Sequence, residues 1–135
     1  MILSISFSAA RLCAVKIALG YLIISVLCAI IGAVYELFSY EVYSYFMLYA
    51  FAFPLCGGAF PYLIYALLLE ASLPSLFNRL LGHTGIATLT IGSFMTGVLE
   101  IYGTTNLLIS IYWLVGGALV LGSAMRIFGY LSLKR

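Results

Sequence analysis

Four glutamates and one histidine hold almost all the acid–base chemistry available to this chain, which has no aspartate. Two of the glutamates sit in nearly the same phrase. VYELFS (residues 34–39) is echoed 64 positions later by VLEIYG (residues 98–103). Each phrase sets a carboxylate, Glu36 or Glu100, between aliphatic and aromatic neighbours. Both read as lying near the end of an apolar helix. A helix C-terminus carries partial negative charge, so a glutamate there is locally unfavourable. Made twice, the mismatch points to a cation, a proton or a basic residue of a partner between them. If the two helices adjoin, the carboxylates would share a proton, because like charges at short range cannot both ionise freely. The plainer role for both is that of interface anchors. Glu70 is placed to pair with Arg79 or His83 as a structural contact.

The rest of the inventory excludes more than it offers. With His83 alone, a haem held by two histidines of this chain is ruled out, and a histidine-rich metal site nearly so. Cys13, Cys28 and Cys56 lie in or beside apolar runs, odd in number and wrongly spaced for a disulfide framework or a zinc site. They read as small packing residues, and no cofactor or metal is expected. There is no Gly-x-Ser-x-Gly elbow, no His-Glu-x-x-His and no phosphate loop, so the chain does not read as an enzyme. A scattered net charge of +2 gives no footprint for nucleic acid.

The elements that position these residues follow from composition. The chain of 135 residues is 65% hydrophobic and 7% charged, whereas soluble domains average roughly 25% charged. That points to an all-α polytopic membrane protein, a compact bundle of four transmembrane helices in the lipid bilayer. The spans read as residues 17–35, 43–69, 84–102 and 107–125. A cleaved signal peptide ending near Ala33 is the competing reading of the first. All six basic residues fall on one side of this arrangement: Arg11 and Lys16, Arg79, then Arg126, Lys134 and Arg135. Glu36, Glu41 and Glu100 fall on the other. The positive-inside rule then sets both termini in the cytoplasm, with the plasma membrane as the expected location. Clustered tyrosines such as Tyr35, Tyr40, Tyr43 and Tyr49 read as an aromatic belt at the outer interface.

Between the second and third spans, Leu73, Phe77, Leu80 and Leu81 recur at helical spacing. Ser72 suits its cap, Pro74 its first turn and Gly82 its end. An interfacial helix over residues 73–81 is expected. The alternation of LSISFSA near the N-terminus gives little support for helix there.

The second span contains FPLCGGAFP. Pro54 and Pro61 flank Gly57 and Gly58, and each proline deletes a backbone donor and crowds the carbonyl four residues earlier. These four residues read as a kink or hinge that must face protein or water rather than lipid. A second echo follows the first. LCGGAF (residues 55–60) matches LVGGAL (residues 114–119), 59 positions on. The repeated order suggests two copies of a helical hairpin in parallel topology. In the third span, Thr84, Thr88, Gly92, Thr96 and Glu100 form a small, weakly polar stripe. Gly20, Ile24, Cys28, Gly32 and Glu36 form its counterpart in the first. Small faces let membrane helices approach closely, so the first and third spans are expected at the bundle centre.

Two functions fit this pattern. One is a small transporter, channel or transport subunit, assembled as a homo-oligomer because four short helices enclose little interior. The other is a non-transporting accessory, immunity or regulatory protein that contacts a membrane partner subunit through its helices. The mid-membrane glutamate that small multidrug transporters place in their first helix has no counterpart, since Glu36 falls at a helix end.

Overall fold

The computed structural model describes residues 1–68 and 73–133, with the side chains of Leu3 and Phe7 set aside. It is all-helical, with four helical segments long and apolar enough to cross a membrane. The first, α1, runs without a break over Ile2–Phe38. At 1.5 Å per residue its 37 residues reach about 55 Å, well beyond a hydrocarbon core of about 30 Å. The N-terminal residues therefore extend the first span rather than forming a separate segment. Alternation over seven short residues does not decide between periods when apolar helix follows directly. Glu70, Ser72, Lys134 and Arg135 lie outside the described residues, as does residue 69 at the end of the expected second span.

The second segment is not one regular helix. It is built from α2 (Tyr45–Leu48), α3 (Ala52–Pro54), a π-helical turn (Leu55–Ala59) and α4 (Phe60–Leu68). The prolines account for the irregularity. Pro61 brings no N–H to the carbonyl of Gly57, and the Phe60 N–H reaches back five residues to Leu55. A wider π turn absorbs the register that proline disturbs.

α5 spans Leu76–Tyr102 and α6 spans Ile109–Leu133, both continuous. The helix expected over residues 73–81 is thus not a separate element. Gly82 does not stop it, because its role is packing: a Cβ there would lie 3.0 Å from the Ser123 hydroxyl of α6. Among the described residues of this stretch, Ser75 takes the cap position, though without a side-chain capping bond.

The two phrases that echo each other end their helices at matching points, Phe38 and Tyr102, two residues past each glutamate. The exits differ. Gly103 takes the left-handed conformation directly after α5, with φ of 70°. After α1 that conformation falls instead on Tyr40 and Glu41, at φ of 51° and 67°. The returning segments differ more, one broken and the other straight.

α1 packs along the second segment, and α5 packs along α6. The first half of the second segment, α2 and α3, also seats against α5. α1 and α5 are therefore held apart by the second segment for much of their length, rather than forming a shared centre. The arrangement is more open than a compact bundle. Its accessible surface is 9230 Å², against about 6900 Å² expected for a soluble globule of this mass. Leu22, Ile23, Val26, Leu27, Ile30 and Ile31 of α1 are all exposed. In lipid such a face carries no hydrophobic penalty.

Candidate functional site

The end of the molecule that carries Glu100 is closed around a single side chain. Met47, in α2, is 2% exposed. A Cβ on Gly32 of α1 would stand 3.0 Å from the Met47 carbonyl oxygen, and a Cβ on Gly97 of α5 would stand 2.7 Å from the Met47 Cβ. Gly32 of the α1 stripe and Gly97, beside the α5 stripe, thus both close on Met47, whereas Gly92 and Thr96 of the α5 stripe face α6. Each glycine permits a backbone approach that any side chain would block.

Two serines complete this closure. The break in the second segment sends the Ala50 N–H to Met47 instead of Phe46. The carbonyl of Phe46 then receives the hydroxyl of Ser93 from α5, which is 1% exposed. The carbonyl of Phe51 receives the hydroxyl of Ser25 from α1 at 3.1 Å. A backbone break in an apolar setting is tolerated where neighbouring helices satisfy the freed groups, and Ser93 does so for the Phe46 carbonyl. The threonines behave differently. Thr88 and Thr96 each donate to the carbonyl four residues back, Thr84 and Gly92, at 2.7 Å. Only Thr96 also reaches across a helix contact, accepting from the Trp113 indole N–H of α6 at 3.2 Å. Trp113 in turn meets Phe46 and Phe53 edge-on, each at 5.7 Å between centroids. Gly92 serves the same face, since a Cβ there would lie 2.8 Å from that of Tyr112.

The two carboxylates do not meet through a hydrogen bond. Glu100 Oε2 accepts the hydroxyl of Ser44 at 2.6 Å. Glu36 Oε1 is buried with no hydrogen-bond partner. Met47 packs against Gly32 and Gly97, about one turn before each carboxylate in its helix. Beside Glu100, a cavity of about 200 Å³ is lined by Thr96, Thr104, Asn106, Ser110 and Trp113.

The hinge residues divide their work between neighbours. Gly57 faces Ile86 of α5, where a Cβ would come within 3.1 Å. Gly58 lies under the ring of Tyr21 in α1, which a Cβ would strike. Pro54 is buried and Pro61 exposed. The match to Gly57 and Gly58 in α6 is partial: Gly116 is closed against Leu89, while Gly117 has open space around it.

At the opposite end the two hairpins part. Beyond the π turn, α4 packs on α1 and leaves α5. The gap holds a cluster that sequence reasoning missed. The Tyr21 hydroxyl of α1 meets His83 Nδ1 of α5. The Tyr62 hydroxyl of α4 lies 3.5 Å from His83 Nε2. The three rings are layered, with Tyr62 stacked on His83 at 5.6 Å and on Tyr21 at 6.3 Å. The Arg79 side chain, one turn before His83, is in hydrogen-bonding reach of Tyr62. A cavity of about 90 Å³ opens among Gly57, Tyr62, Asn78, Arg79, His83 and Ser123. It adjoins a wider one of about 410 Å³ toward Ser75, Arg126 and Tyr130. Asn78 lines both, is 4% exposed, and leaves its Oδ1 unpartnered, as Arg79 leaves its Nε. The signal for this cluster was present. Polar residues in apolar helices are expensive and seldom idle, and Arg79 and His83 share a face at helical spacing. The tyrosine partners lie 62 and 21 positions away, with no pattern tying them to His83.

Among the described residues, no three of His, Cys, Asp or Glu converge as metal ligands would. No protein-family model, curated protein or solved structure matches the chain.

Proposed function

We propose that this chain is a small membrane transport protein whose two helical hairpins open and close a central cleft. The cleft at the Arg79 end carries this reading. Tyr62, Asn78, Arg79, His83 and Ser123 line it among apolar neighbours, it runs between α4, α5 and α6, and beyond Ile86 the second segment seats on α5 around Met47. A pathway closed at one end and open at the other is the geometry that alternating access requires. The break in the second segment supplies the pivot. By the positive-inside rule the Arg79 end faces the cytoplasm, and the Glu100 end faces outward. The echoed hairpins fit the internal repeats from which such proteins are built. Assembly as a homo-oligomer, or with a partner subunit, would cover the long apolar face of α1.

The test is flux in proteoliposomes, read for protons, sodium and potassium, with Ile86→Trp as a plug for the cleft. Flux that the plug abolishes supports transport. Rates equal to empty vesicles for all three ions, with folded protein, contradict an ion-conducting role and favour the accessory reading. That second reading, a regulatory or immunity protein acting through helix contacts, draws on α1. It packs on the second segment and presents an exposed apolar face from Leu19 to Ile31.

A further inference from the structure

We infer that His83, clamped between Tyr21 and Tyr62, is a proton-binding site that latches the cleft at the Arg79 end. The inference rests on the transport reading for its purpose, and its measurement does not depend on it.

The geometry ties three helices to one ring. Tyr21 comes from α1, Tyr62 from α4 and His83 from α5, and each ring nitrogen has a tyrosine hydroxyl for its partner. A neutral imidazole has one donor and one acceptor nitrogen. It is therefore fully satisfied when one tyrosine donates to it and the other accepts from it. In that state the latch is complete, and α5 is held to the α1–α4 pair just where their backbones part.

A second proton changes both terms. The imidazolium has two donors and no acceptor, so the tyrosine that donated must turn away or move. The added charge also falls beside Arg79. Among the described residues, the groups facing His83 leave that charge uncompensated. From α1 there is Tyr21, with Cys13 close to Tyr62; from α4 there are Tyr62 and Tyr65; from α5 there are Asn78 and Arg79. From α6 come Ser123 and Ile127, neither of which is charged. No carboxylate among the described residues lines the cavity. Two like charges this close repel each other. The relief open to this fold is to widen the cleft by moving α5 and α6 away from α4. Histidine ordinarily changes charge between about pH 5 and 8, and burial together with Arg79 moves His83 toward the acid side of that range.

The experiment is a pulsed electron resonance distance measurement in nanodiscs. Spin labels go on Leu67→Cys of α4 and Phe128→Cys of α6, both exposed positions flanking the cleft. Cys13, Cys28 and Cys56 are replaced by alanine. The distance is expected to lengthen on acidification across about pH 8 to 5, by up to roughly one helical turn, ~5 Å. His83→Gln should abolish the pH response. Arg79→Gln should shrink it, because the opposing charge is gone. Tyr62→Phe should give the long distance at both ends of the range, which tests the latch even if His83→Gln fails to fold. An unchanged pH response in His83→Gln overturns the inference, as does a parent protein with no response. A pH-driven distance change without flux removes the transport reading and leaves the proton site standing. Flux without the change does the reverse.

Discussion

Replacing Ser93 by alanine tests how the broken second segment is held. Ser93 is 1% exposed, and its hydroxyl is the group that meets the Phe46 carbonyl once Ala50 has turned to Met47. Alanine keeps the small face and loses only the oxygen, so no cavity term of consequence enters. A buried acceptor left unpaired costs about 1–3 kcal/mol. Ser25→Ala should cost less, about 0.5–1.5 kcal/mol. The Phe51 carbonyl that Ser25 serves also accepts the Leu55 N–H at 3.2 Å, so it stays paired without the serine. Thr90→Ala is the control. Its hydroxyl returns to the Ile86 carbonyl of its own helix at 2.8 Å. Its loss should be near neutral, since alanine is the better helix former by about half a kcal/mol. The assay is reversible unfolding in mixed micelles, followed by circular dichroism. The reasoning predicts a cost that falls from Ser93→Ala through Ser25→Ala to Thr90→Ala. It is refuted if Ser93→Ala is no more costly than Ser25→Ala.

Three further outcomes follow from close packing. Gly58→Ala should destabilise by about 1–3 kcal/mol and disturb the Tyr21–His83 contact, since its Cβ would strike the Tyr21 ring; Gly117→Ala, with open space around it, should be neutral or stabilising by up to ~1 kcal/mol in the same assay. Met47→Ala should cost about 2–5 kcal/mol and loosen the Glu100 end, read as faster amide exchange at Ala50 and Ala52. Glu100→Gln should be mild in stability, because the amide oxygen can still accept from Ser44, whereas Ser44→Ala should cost about 1–2 kcal/mol in the unfolding assay.

Apolar length and the sidedness of charge were enough to read four helices and their order. Pro54, Gly57, Gly58 and Pro61 were enough to read a disturbed second segment, because proline's missing donor acts whatever surrounds it. A glycine stripe announces that a backbone will approach, without naming which one. Gly32 and Thr96 were matched to each other, yet Gly32 receives Met47 while Thr96 accepts from Trp113 of α6. Gly82 had the same ambiguity. At the end of an amphipathic run it reads as a stop, and against Ser123 it is a point of contact within a continuous helix. The Glu36–Glu100 idea rested on helix ends placed alike in the sequence, which cannot announce that Ser44 of the second segment is the group that bonds Glu100. Tyr21 and Tyr62 were invisible as partners of His83, since long-range pairing of three helices leaves no mark in any one of them.

The claim that most needs testing is a protein closed at the Glu100 end and open at the Arg79 end. The direct measurement is labelling by a charged, membrane-impermeant thiol reagent in oriented proteoliposomes free of native cysteines. Ile127→Cys, in the cavity wall, should react only from the Arg79 side, and Phe53→Cys, beside Trp113, from neither. Labelling of Phe53→Cys from the Glu100 side, or of Ile127→Cys equally from both sides, would contradict the account.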